Sequence, residues 1–145
     1  MLNIDNLTNF AINTHFIEEI VKKHTSRDID LIVCYNFTIQ EYNKTYRGKD
    51  TATDVLSFPI ENDMIIHNDI MPLGSIVISA DFVNKKAVEL NHSAEDEFTL
   101  LFIHGLLHLL GYDHETDDGK MREKEEAIIK ELNLPKSLIV RTEGF

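Results

Sequence analysis

Apolar and polar positions alternate along this chain with two periods, one helical and one extended, and the switches between them mark the elements. Phe10, Ile12, Phe16, Ile17, Ile20 and Val21 give a broad apolar face at helical spacing, which predicts a first helix capped by Thr8 and running to about His24. Asp30 to Phe37 is rich in β-branched and aromatic residues and reads as a buried strand. Thr38 then caps a short helix through Tyr46, ended by Gly48. Val55 to Ile60 predicts a second strand, Met64 to Ile70 a short edge strand, and Gly74 to Ser79 a further strand. Beyond these the pattern is helical. Asp81 opens a helix to about Leu90, and Ser93-Ala-Glu-Asp96, a variant capping box, opens another that reaches Leu110. Asp117 or Asp118 starts a last helix to Leu132, closed by Asn133 and Pro135. Strands early and helices late predict an α+β fold, a small mixed sheet packed with helices. With no repeat or linker visible, residues 1–145 read as one domain and 136–145 as a loosely ordered tail.

The helix that begins at Ser93 departs from amphipathic design. Leu100 to His114 is almost wholly apolar, yet it carries His104, His108 and His114 at offsets 0, 4 and 10, with Gly111 at offset 7. A lone histidine on an apolar face is ordinarily a hydrogen-bonded core residue. Three at this spacing raise a different expectation, because buried imidazoles need partners and one metal ion satisfies all three. Residues four apart share a helix face, so His104 and His108 can meet one ion at about 2.0–2.1 Å. Gly111 can adopt the left-handed conformation that ends a helix and brings the chain back, delivering His114 to the same ion. Three nitrogens leave a fourth position open, the mark of a catalytic zinc. One zinc ion per chain, in a buried central helix of zincin-like design, is the expectation.

Composition narrows the partners. A chain of 145 residues with 43% hydrophobic content and eight Phe has enough apolar mass for a globular core. It holds no apolar run of transmembrane length, and Met1 to His24 lacks a signal-peptide pattern, so a cytoplasmic location without membrane attachment is expected. Cys34, the single cysteine, sits in an apolar run and reads as a buried strand residue. A formal net charge of −11 argues against general polyanion binding. Lys44-Thr-Tyr-Arg47-Gly-Lys49 is a basic island in this acidic background, and any nucleic acid would have to be held there or by a partner.

The histidine offsets and the glycine coincide with the metzincin pattern of zinc peptidases, except at offset 1. Those enzymes place a Glu there as general base; here Gly105 can neither take nor give a proton. The spacing therefore supports zinc and weakens proteolysis, since bound metal still lowers the pKa of its water to about 7. Asp113 and Glu115, flanking His114, are candidates for orienting a ligand or accepting a proton, though acidic residues are also ordinary at turns and helix starts. Arg47 is the second candidate for chemistry, because a guanidinium forks onto phosphate and stays charged. A metal and an arginine are a minimal set for the charge that builds up in phosphodiester cleavage.

Three blocks carry a resemblance. Asn43-Lys-Thr-Tyr-Arg47-Gly-Lys-Asp50-Thr-Ala-Thr-Asp54-Val-Leu-Ser-Phe58-Pro, then Leu73-Gly-Ser-Ile-Val-Ile, then His104-Gly-Leu-Leu-His108-Leu-Leu-Gly-Tyr-Asp-His114 resemble the signature blocks of the YbeY family of bacterial single-strand-specific endoribonucleases. The resemblance implies a zinc-dependent endoribonuclease acting in maturation of the small-subunit rRNA 3′ end and in ribosome quality control. It implies His104, His108 and His114 as zinc ligands, Arg47 as the catalytic arginine, and RNA backbone held along a groove past Arg47 and Lys49. The strand block usually reads Gly-Asp-Ile, and here Ser75 replaces the acid. The chain's acidity suggests that single-stranded RNA is presented by the ribosome or a ribosome-associated protein, or that only a narrow groove is basic. Two alternatives are a zinc peptidase of unusual base and a noncatalytic, zinc-containing ribosome-assembly factor.

Overall fold

The computed structural model describes residues 1–60, 71–113, 116 and 118–135. Its element order is β1 (Leu2–Asn6), α1 (Thr14–His24), β2 (Ile29–Cys34), α2 (Asn36–Arg47), β3 (Val55–Pro59), β4 (Gly74–Ser79), α3 (Ala80–Leu90), α4 (Ala94–Leu109) and α5 (Lys120–Leu132). The strands form a four-stranded sheet in the order β1-β2-β4-β3. β1, β2 and β4 are parallel, and β3 joins the edge of β4 antiparallel. The expected α+β class and small mixed sheet are thus observed.

Alternation along the central strands sends side chains into two cores of unequal size. Ile29, Leu31 and Val33 of β2 and Ile76 and Ile78 of β4 face α1, α3, α4 and α5, which bury Ile17, Ile20, Val83, Leu101, Phe102, Leu106 and Met121 against them. The intervening Cys34 and Val77 face the other way, where Ile39 of α2 and Leu56 of β3 complete a smaller cluster. Strands covered on both faces read as unbroken apolar runs, which is why β2 and β4 were visible as such. α4 is buried on nearly every side, including Leu100, Leu101, Ile103, Leu106 and Leu107.

Several element boundaries differ from expectation. Thr8 caps no helix: its hydroxyl and amide both donate to Asn6 Oδ1, at 2.7 and 3.0 Å, building a turn after a strand. Helix α1 starts later, at Thr14, with Asn13 Oδ1 accepting from the Phe16 amide. The strand at Asp30 to Phe37 stops at Cys34, because α2 already begins at Asn36 and Thr38 lies inside it. The Asn36 amide donates instead to Asp81 Oδ2 at 2.8 Å, a partner from a distant segment. Ser79 caps α3 one residue ahead of the expected start, and Gly119, in a left-handed conformation, precedes α5. The expected strand at Met64 to Ile70 and the expected tail at 136–145 lie outside the described residues.

Candidate active site

The site begins with the way α4 lies on the sheet. A Cβ on Gly105 would sit 3.0 Å from Ile76 Cγ2, and one on Gly74 would sit 2.4 Å from the Phe58 carbonyl and 2.8 Å from Leu109 Cδ2. The helix therefore runs along β4 in close contact, with Gly105 at Ile76 and Leu109 at Gly74. Gly74 also has φ +154, a backbone conformation that side chains disfavour. Position 105 is packed against the sheet, and any side chain there would require Ile76 to give way by a few tenths of an ångström. The general-base position of the metzincin pattern is tightly packed here and holds a residue with no side chain.

The imidazoles stand on the flank of the same helix, one turn apart and about 80° on average round the axis from Gly105. His104 Nε2 and His108 Nε2 face each other at 3.2 Å, with ring centroids 4.8 Å apart. The two outer nitrogens are each held by an acceptor. His104 Nδ1 donates to Glu125 Oε2 at 3.0 Å, and His108 Nδ1 donates to the Tyr112 carbonyl at 3.1 Å. A carboxylate and a carbonyl only accept, so both Nδ1 atoms carry the proton and both Nε2 atoms present lone pairs. They fit a shared cation: two Zn–N bonds of about 2.0–2.1 Å at a tetrahedral angle place the nitrogens about 3.3 Å apart.

The support for His108 is built by the end of its own helix. Tyr112 N donates to the Leu107 carbonyl and Gly111 N to the His108 carbonyl, both at 3.0 Å, the hydrogen-bond pair of a Schellman cap. Gly111 supplies the required positive φ, +99°. The cap turns the Tyr112 carbonyl back onto the imidazole. The support for His104 comes from α5, where Glu125 is almost wholly buried at 1% side-chain exposure. Glu125 was not among the sequence candidates. Its signal was present: it shares the buried stripe of α5 with Met121, Ile128 and Ile129, a carboxylate on an otherwise apolar face.

The remaining sequence candidates are placed as follows. His114 and Glu115 lie outside the described residues. Asp113 follows the cap, is exposed, and its carbonyl accepts from the Thr116 amide at 3.1 Å. Among the described residues no group of three or more His, Cys, Asp or Glu is poised to hold a metal. Arg47 ends α2 and Lys49 follows the left-handed Gly48, both exposed. The segment beyond is tied down by Gln40 Nε2 donating to Asp50 Oδ1 at 3.0 Å and Asn43 Nδ2 donating to the Thr51 carbonyl at 2.9 Å. No hydrogen bond or ion pair within the described residues joins Arg47 or Lys49 to the imidazole pair, which is on the other face of the sheet. Both groups nevertheless flank one end of β3. Ser57 and Pro59 pair with Ile76 and Gly74 under α4, while the Tyr46 ring beside Arg47 meets the Phe58 ring at 5.4 Å.

An α+β sheet carrying a buried helix with two converging imidazoles, each oriented from behind, is the layout of a metal-dependent hydrolase. The chain belongs to the endoribonuclease YbeY family, whose model matches residues 2–133. Relatives named endoribonuclease YbeY include one from Aliarcobacter butzleri, 56% identical over 97% of this chain and 99% of the relative. Another, from Nautilia profundicola, is 54% identical over 99% of both chains, and one from Sulfurovum sp. is 51% identical over 99% of this chain and 98% of the relative. The solution structure of TM1509 from Thermotoga maritima superposes with a TM-score of 0.61 at 33% identity, covering 90% of this chain and 88% of that one.

Proposed function

We propose that this protein is a zinc-dependent, single-strand-specific endoribonuclease that matures the 3′ end of small-subunit rRNA and serves ribosome quality control in the cytoplasm. Family membership makes it an endoribonuclease, a hydrolase of RNA with a metal-dependent site. The observation that carries the zinc reading is the pair of Nε2 lone pairs 3.2 Å apart, each fixed by an acceptor on the far side of its ring. His104, His108 and His114 would hold the ion, which supplies Lewis acidity toward phosphate oxygens and water when bound. Glu125 and the Tyr112 carbonyl keep both rings in the ligating tautomer. Arg47 would fork onto the scissile phosphate and offset charge that grows there, and Lys49 would hold a neighbouring phosphate. Within the described residues no helix is long and apolar enough to cross a membrane. A basic island this small in a chain of net charge −11 supports RNA presented by the ribosome or a ribosome-associated protein.

The test is an Arg47→Ala protein assayed on single-stranded RNA beside the parent. The variant should fold, keep its metal and lose at least a hundredfold in cleavage rate, since one donor aimed at developing charge supplies about that much. Cleavage at the parent rate removes Arg47 from the chemistry. A metal-loaded parent that cuts no single-stranded RNA favours a noncatalytic assembly factor. Hydrolysis of casein would revive a peptidase, against which the absence of a base at Gly105 stands.

A further inference from the structure

Helix α2 is the sole helix among the described residues on its face of the sheet, and its outer surface is aromatic. Phe37 is 79% exposed and Tyr46 66% exposed, large apolar side chains that the core does not use. Tyr42 and Tyr46 lie one turn apart with centroids at 6.1 Å and planes 23° apart, and both reach the Phe58 ring of β3, at 6.4 and 5.4 Å. Phe37, Thr38, Glu41, Tyr42, Thr45 and Tyr46 line a shallow groove of about 280 Å³. Helix packing alone accounts for Tyr42 and Phe58, which touch the smaller core, but not for Tyr46 and Phe37.

Charge identifies the occupant. Lys44, Arg47 and Lys49 border this surface within six positions, in a chain whose formal net charge is −11. On β4, Ser75 pairs with Phe58, and directly paired antiparallel residues point to one side of the sheet. Ser75 therefore puts a neutral hydroxyl on the aromatic side beside Phe58, with Asp30 of β2 on its far side, away from the basic residues. Glu41 is the acid in the groove itself, where a carboxylate accepts from base N–H groups and repels phosphate. Resting on the endoribonuclease reading above, we infer that the Phe37–Tyr46 face of α2 is a stacking platform for unpaired bases of the RNA substrate, with Lys44, Arg47 and Lys49 taking the backbone beside it. Aromatic faces interleaved with cations bind single strands with little regard to sequence, and they exclude duplexes, whose bases are already stacked. Single-strand preference then has a structural source outside the metal site.

The chain contains no tryptophan, so Tyr46→Trp installs a single indole reporter at the platform. Titrating it with a ten-nucleotide oligoadenylate RNA, metal chelated to prevent cleavage, should quench the indole. The same strand annealed to its complement should leave the signal unchanged. By equilibrium binding of the labelled oligonucleotide, Tyr46→Ala should weaken affinity about tenfold or more and Tyr46→Phe should match the parent, because only the ring is used. Unfolding temperatures within a degree or two of the parent would show that the exposed substitutions leave the fold intact. Parent-like affinity of a folded Tyr46→Ala, Phe37→Ala double variant overturns the platform and assigns the face to a protein partner. That outcome leaves the endoribonuclease reading standing if the parent still cuts the strand. A parent that neither binds nor cuts it defeats both.

Discussion

Glu125 and the Tyr112 carbonyl determine which nitrogen of each imidazole is available, and at the scale of single residues this is the feature with most consequence. Glu125→Gln keeps the shape of the side chain but lets an amide N–H compete for the ring nitrogen. We expect metal affinity to fall about 10- to 100-fold with the fold retained, measured by competition with a chromophoric chelator; unchanged affinity would remove Glu125 from the site. His108→Ala should go further and abolish stoichiometric metal, with a drop in unfolding temperature that added zinc does not reverse. Cys34 belongs to the other face and to no chemistry. Burial, aided by the negative charge of Asp81, raises its thiol from 9.0 to about 11. The folded protein holds that proton more tightly than the unfolded chain, so the stabilisation is complete below pH 9 and is lost as pH climbs toward 11. The urea midpoint of the parent should therefore fall more steeply over that range than that of Cys34→Ala. At pH 8 iodoacetamide should label Cys34 only after denaturation.

Among the elements, α4 does the positioning. Its contact with β4 at Gly105 and Gly74 fixes how far the imidazoles stand from the sheet. Gly105→Ala gains about 1 kcal/mol in helix propensity but pushes a methyl group onto the fully buried Ile76. Overpacking of about 1–3 kcal/mol should outweigh that gain, lowering the unfolding temperature by a few degrees; a stabilised variant would show that α4 has room to move. This helix was the most legible part of the sequence, because a cap, an unbroken apolar run and a terminal glycine all agree on its limits. β1 was the least legible. Leu2 and Ile4 are too few to reveal a strand period, and pairing with Ile29 and Leu31 is a tertiary fact. Thr8 looked like a cap because Ser, Thr, Asn and Asp all compete for such roles, and Asn13 took it. The imidazole pair could be read from spacing, whereas Glu125 comes from another helix and shows only as an acid in an apolar stripe.

Across the whole molecule the tension is between an acidic chain and a polyanionic substrate. If RNA is gripped only by the basic island, three phosphates at most are neutralised by Lys44, Arg47 and Lys49. A plot of log affinity against log salt should then have a slope of about −2, at about 0.7 per phosphate for single strands. A slope near zero would mean that the island does not touch the backbone. The weak grip also accounts for the expectation that RNA arrives already held by the ribosome or a protein bound to it. Helix α4 with its imidazoles and the aromatic rings of α2 stand on opposite sides of the sheet and meet at β3. Everything chemical still depends on the ion. The most direct measurement is anomalous diffraction at the zinc edge from crystals grown with the metal. We expect one peak per chain about 2.0–2.1 Å from both His104 Nε2 and His108 Nε2, with His114 as the third protein ligand. Density in which these rings diverge around no peak, with zinc bound elsewhere or nowhere, would contradict the assignment.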